Sequence, residues 1–165
     1  TAAPAVDESR LPDEPFDGLA ARLSQAKAKS IPHPSALIIG SDQVAVVGER
    51  QLHKPGSVND AMQQLEFIRG KTVDFYTGVA LWNTATDRCQ NEVIQYKATL
   101  RDLSNHEITA YVAADSPLDC AGAFKWERLG ISLMVSLEGT DPTALEGLPL
   151  ISLCNMLRNE GLALP

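Results

Sequence analysis

The chain has 165 residues, a hydrophobic content of 44% and a formal net charge of -7. That is enough apolar material for one domain with a sizeable core, and it excludes a disordered tail. The acidity excludes a general nucleic-acid binder or a basic membrane-surface protein, no apolar run approaches a bilayer span, and the opening residues do not read as a signal peptide. The opening TAAPAVDESRLPDEP is rich in Ala, Pro and acid and reads as a loop. From about Asp13, Phe16, Leu19, Ala20 and Leu23 recur at helical spacing, with Lys27 and Lys29 at the C-terminal end and IPHP as the breaker. Ala36 to Ile39 predicts a short strand, and Val44 to Val47 a second one after Asp42. A small loop holds Lys54-Pro55-Gly56. Ser57 and Asp60 mark a capped helix carrying Ala61, Met62, Leu65 and Ile68 inward, ending at Gly70.

TVDFYTGVALWNT and NEVIQYKATLRD flank the turn-like ATDRCQ and predict a hairpin. Ser104 and Glu107 form a capping-box pattern before ITAYVAA. LGISLMVSLEG reads as a further strand. Asp141 and Pro142 open a turn or short helix, and Pro149 is placed as the first residue of a last helix with Leu150, Leu153, Cys154 and Leu157 inward. The alternation predicts one α/β domain over residues 1–165, with a mixed twisted sheet, flanking helices and two lobes around a cleft. The cysteines Cys89, Cys120 and Cys154 are odd in number, widely spaced and lack zinc-ligand neighbours. They read as reduced thiols of a cytoplasmic protein, not a disulfide framework.

The chemistry-bearing candidates are Glu8, Lys27, Asp42, Lys54, Lys125 and Glu127. Acids that hold a divalent cation and lysines that neutralise phosphate oxygens suit a phosphorylated small molecule, and one acid can deprotonate an attacking water. Each residue has a plainer reading. An Asp after a strand is more often a turn former or helix cap. Lys27 and Lys29 read as solvated helix ends, Lys54 as a loop charge, and Glu127 as half of a weak surface ion pair with Arg128.

The blocks LIIGSDQVAVVGERQLHKPGSVNDAMQQL, FYTGVALWN, LSNHEITAYV and DCAGAFKWERLGISLMVSLEGTDPTALEGLPL, in this order, resemble the Maf family of nucleoside triphosphate pyrophosphatases. The resemblance runs from about Ala3 to Leu157. It implies a Maf/inosine-triphosphatase-like fold and cleavage between the α and β phosphates of a nucleoside triphosphate. Asp42 matches the family's general base, Glu8 an acid near the metal and phosphates, and Lys27 and Lys54 lysines that contact the triphosphate. Glu8 and Asp42 are the implied metal ligands, for Mg²⁺ or Mn²⁺. Gln43 and Glu127 match positions of base selection and resemble the branch acting on 7-methyl-GTP; the branch acting on dTTP and UTP has Thr at Gln43. A homodimer is expected by resemblance alone, and no membrane or nucleic-acid polymer is expected as partner.

The departures are specific. The chain starts just after the family's opening strand and S-x-S-P-R-R loop, so an N-terminally truncated domain is expected, weakly active or inactive beside a full-length enzyme. His53 stands where the family has Gly, and Trp126 and Arg128 replace residues of FKSEG, Arg128 in place of Gly. Two other readings stay open: a pyrophosphatase for dTTP, UTP or other purine triphosphates, and a non-catalytic nucleotide-binding regulator of cell division.

Overall fold

The computed structural model describes residues 5–165. Its elements are α1 (Phe16–Lys29), β1 (Leu37–Val47), β2 (Arg50–Leu52), α2 (Val58–Ile68), β3 (Thr72–Asn83), β4 (Arg88–Leu100), α3 (Asn105–Asp115), β5 (Met134–Gly139) and α4 (Leu150–Asn159), with 3-10 turns at Leu129–Leu133 and Pro142–Glu146. One five-stranded sheet runs in the order β2-β1-β3-β4-β5. The α/β class with helices flanking one sheet therefore holds. The sheet, expected to be mixed, is antiparallel among the described strands. β1 runs against β2 and β4 against β5. β3 and β4 form the expected hairpin. Between β1 and β3, Ala36 bonds Thr84 while Ser41 bonds Gly78, so the two strands run in opposite senses. Short turns join β1 to β2 and β3 to β4, whereas a parallel neighbour would need a long crossover.

The described residues form two compact units. The first takes the chain to Val44, Tyr76–Gln95 and the residues from Thr140 on. Its core sets Val79 and Leu81 of β3 against Leu153 and Met156 of α4, with Leu37, Leu148 and Leu157 around them. α1 buries Leu19, Ala20, Leu23, Ser24 and Ala28, following the helical spacing of its apolar residues. It lies close upon β1 and β3 because glycines stand beneath it. A Cβ on Gly40 would come 2.5 Å from the Ala28 nitrogen and overlap the Ser24 carbonyl; one on Gly78 would come 2.7 Å from the Ala20 carbonyl carbon. Asp141 caps the second 3-10 turn through the Thr143 amide and also accepts from the Ile151 amide at 2.8 Å, fixing the start of α4. Pro149 is the N-cap of α4, one residue before its expected place, and Leu150 is exposed.

The second unit takes Ala45–Phe75 and Tyr96–Gly139. Leu65 and Ile68 of α2, Ile108 of α3, and Val73, Leu100 and Leu103 are fully buried there. α2 packs on α3. Phe75 and Phe124 meet edge to face at 5.7 Å. Both helix starts follow the sequence expectation. Ser57 accepts from the Asp60 amide, and Ser104 and Glu107 form a complete capping box. Those bonds, led by the Ser104 amide and hydroxyl, lower the Glu107 carboxyl to a pKa of about 2.

The strands bring two further corrections and one addition. Leu37–Val47 is one unbroken strand, so Asp42 lies inside it rather than between two strands. β2 is a three-residue strand that periodicity does not reveal. LGISL, expected as strand, is a 3-10 turn, and β5 begins only at Met134.

Candidate functional site

Asp42 and Gln43 are consecutive residues of β1, so their side chains leave on opposite faces. On one face the strand meets α1. Lys27, in the last turn of α1, reaches the Asp42 carboxylate with Nζ 2.6 Å from Oδ1. The same ammonium lies 2.7 Å from Oε1 of Glu8. The Asp42 and Lys27 side chains are only 11% and 19% exposed, while Glu8 is 61% exposed. Burial opposes the charge on Lys27, but the hydrogen bonds it donates to Asp42 and Glu8 outweigh it and raise its pKa above the ordinary value. The sequence expectation of a solvated helix end fails here. α1 can come close enough because Gly40, two residues before Asp42 on the same face, presents no side chain to it.

Glu8 is held by its own segment. The Asp7 carboxylate accepts from the Ser9 amide, and Arg22 of α1 donates from Nη2 to the Ser9 carbonyl at 2.9 Å. Arg22 also grips Glu14 with two hydrogen bonds, 2.6 and 2.9 Å long. Sequence reading gave Arg22 no role. The signal lies in tertiary pairing across eight residues, which no local spacing reveals.

On the opposite face, the Gln43 amide donates to the Ala144 carbonyl at 2.7 Å, with Thr77 Oγ1 at 3.2 Å and the Leu145 carbonyl at 3.3 Å. These acceptors fix which end of the amide is nitrogen. The Ser41 hydroxyl, on the same face, lies 2.7 Å from the Gly78 carbonyl and 2.5 Å from that of Gly147. The polar residues of β1 are therefore each matched to a neighbour.

The remaining candidates belong to the second unit. Lys54 is exposed in the loop before α2, and Glu127 is exposed in the turn that follows Phe124. Neither makes an ion pair with the described residues. Lys125 pairs with Asp119 at 2.8 Å. Arg128 does not pair with Glu127; its Nε lies 3.0 Å from Oδ1 of Asp115, whose side chain is fully buried. Arg128 has φ -124, outside the left-handed region, so replacing a glycine here carries no left-handed strain. Tyr111, one turn before Asp115 on α3, accepts from the Lys125 amide at 2.9 Å. Burial, with Asp115 nearby, pushes its phenol above the ordinary value, so it stays protonated.

Among the described residues no group of three or more His, Cys, Asp or Glu side chains converges. Glu8 and Asp42 supply two carboxylates, and the point they share is the Lys27 ammonium.

A Maf-like protein family model matches residues 1–160. The chain is 50% identical over 166 residues to the 7-methyl-GTP pyrophosphatase of Pseudomonas putida, covering 99% of this chain and 86% of that protein. It is 50% identical to the protein of that name from Aromatoleum aromaticum, over 100% of this chain and 86% of the other. With the one from Alkalilimnicola ehrlichii it shares 52% identity over 92% of this chain and 77% of the other. A match of this length and these identities along nearly the whole sequence leaves one conclusion: the chain belongs to the Maf family.

Proposed function

We propose that this chain is a nucleoside triphosphate pyrophosphatase that hydrolyses 7-methyl-GTP to 7-methyl-GMP and pyrophosphate. The carrying observation is its identity of about half to relatives bearing that name, over nearly all of its length. The Lys27–Asp42–Glu8 arrangement supports the same reading from the chemistry.

Asp42 acts as the general base. Its carboxylate takes a proton from the water that attacks the α-phosphorus, and the α–β anhydride bond breaks with its electron pair leaving on pyrophosphate. A carboxylate fixed on a strand and gripped by an ammonium loses little orientational freedom when substrate arrives. Lys27 has three N–H donors. Two are engaged by Asp42 and Glu8, which leaves the third for a phosphate oxygen. Lys54 is assigned to the triphosphate by family resemblance, with its exposure as support. Glu8 and Asp42 would hold a divalent cation, Mg²⁺ or Mn²⁺, which neutralises the leaving pyrophosphate when bound. Gln43 and Glu127 select the base; the carboxylate of Glu127 favours the cationic ring of 7-methylguanine over neutral guanine. A cytoplasmic location and a homodimer belong to this reading. No described helix is long and apolar enough to cross a membrane.

The test measures pyrophosphate release from a panel of 7-methyl-GTP, GTP, dTTP and UTP, with nucleotide binding measured in parallel. Wild-type turnover should be greatest on 7-methyl-GTP. Asp42→Asn should lose about 10²–10⁴-fold in turnover, the usual worth of a positioned base, while still binding nucleotide. Preferred turnover of dTTP or UTP would overturn the substrate. An Asp42→Asn protein with undiminished turnover would overturn the mechanism.

A further inference from the structure

The turn that carries Glu127 is gripped at two points by one face of α3. Tyr111 and Asp115 are spaced one turn apart on that helix and so share a face. The Tyr111 oxygen holds the Lys125 amide, and the Asp115 carboxylate holds Arg128. Between these points the chain turns tightly. Arg128 and Gly130 both donate backbone N–H groups to the Lys125 carbonyl, and a Cβ on Gly130 would come 2.7 Å from the Lys125 carbonyl carbon. Glu127 stands at the exposed crest.

The grip is costly. Among the described residues both Asp115 carboxylate oxygens are buried with no hydrogen-bond donor at good geometry, and Nε1 of Trp126, next to Glu127, is buried with no acceptor. A buried carboxylate whose described partners are one guanidinium and the neighbouring Tyr111 phenol gains little stability for the fold. Polar groups left under-satisfied in a native structure call for another explanation. Electrostatics supplies one. Glu127 and Arg128 are neighbours in sequence with opposite charges, and an unrestrained guanidinium would pair with the adjacent carboxylate. Asp115 instead draws Arg128 to its own side, leaving Glu127 without an ion pair among the described residues.

We propose that Asp115 is a positioning residue for base selection: by holding Arg128, it keeps the Glu127 carboxylate unneutralised for a cationic purine. Tyr111 anchors the other end of the turn. This inference rests on the assignment of Glu127 to base recognition.

The readout is the ratio of kcat/KM for 7-methyl-GTP to that for GTP, measured on the full chain. Glu127→Gln should lower the ratio by about tenfold. Asp115→Asn should lower it to a similar extent, mainly through KM for 7-methyl-GTP, because the released Arg128 quenches Glu127. Adding Arg128→Gln to Asp115→Asn should restore the ratio, a rescue that simple loosening of the fold would not give. If Glu127→Gln leaves the ratio unchanged, the assignment of Glu127 fails and this inference with it. If Glu127→Gln lowers the ratio but Asp115→Asn does not, or if the double variant stays as low as Asp115→Asn, the inference alone is overturned. Should Asp115→Asn not fold, Arg128→Gln decides. A ratio kept or raised supports the proposal, and a fall equal to that of Glu127→Gln overturns it.

Discussion

The Lys27 node of the first unit and the Lys54 and Glu127 positions of the second hold their charges in opposite ways. Lys27 and Asp42 are paired and largely shielded, on a helix and a strand whose backbones touch, with the exposed Glu8 on the same ammonium. Lys54 and Glu127 are exposed and without ion pairs among the described residues. In the roles proposed for them, a base and its counter-ion must keep their geometry whether or not substrate is present, so pairing them in advance lowers the cost of ordering them later. A group that recognises a ligand gains by remaining unneutralised until the ligand comes. The first arrangement couples chemistry to stability; the second separates them.

That contrast breaks if removing Lys27 proves harmless. Lys27→Met leaves two carboxylates facing each other, one nearly buried. It should cost about 2–3 kcal/mol, below the full penalty for breaking a buried pair because the site is partly exposed. Chemical denaturation with a pyrophosphate assay checks it, and turnover should fall together with stability. The pH dependence has a definite sign. The pKa of Lys27 is raised above 10.5, so its contribution is complete below pH 10.5 and is lost as pH climbs through the higher folded value. Wild type should lose stability on that alkaline side, and Lys27→Met should lack this component.

A subtler variant sharpens the comparison without touching a charge. Gly40→Ala pushes α1 away from β1 and should cost about 1–3 kcal/mol by overpacking. Turnover should drop as well, since Lys27 rides on that helix. A stable protein with normal turnover would show that the close approach is not what aligns the pair. Asp141→Ala, in the same unit but away from Lys27, removes the acceptor of the Thr143 and Ile151 amides and should cost about 1–2 kcal/mol. Its effect on KM should be small, which separates stability from chemistry within one unit.

The second unit should answer differently. Lys54→Ala should change stability by less than about 0.5 kcal/mol, as exposed substitutions do, while raising KM for the triphosphate. A large fall in Tm would erase the distinction. The smallest effect is expected at Glu107. Its depressed pKa means the capping box is complete above the ordinary carboxyl value of 4.5 and is lost as pH falls towards about 2. Acid titration of wild type against Glu107→Gln measures it.

Much of the second unit was legible in the sequence because its signals are local. Ser57, Ser104 and Glu107 declare their helix starts within four residues. β1 was split in two because Ser41-Asp42-Gln43 looks like a break in an apolar run. Each of those residues is matched by a partner at least 15 positions away, which no periodicity reports. The pairing of Lys27 escapes local spacing for the same reason. The 3-10 turn at Leu129 was missed because an apolar run reads as strand, while Gly130 must fold back on Lys125.

The bare backbone at Gly40 has one more consequence. In a β-strand, a slip of one residue exchanges the two faces. Slipped β1 would set Gln43 or Ser41 opposite Lys27 and turn the Asp42 carboxylate towards the Ala144 carbonyl, oxygen against oxygen. It would also drive Ile39 or Ser41 into the space beneath α1, where not even one methyl group fits. The missing side chain thus works as a key: only one threading of the strand lets the helix close, and that threading is the one that delivers the carboxylate to its lysine.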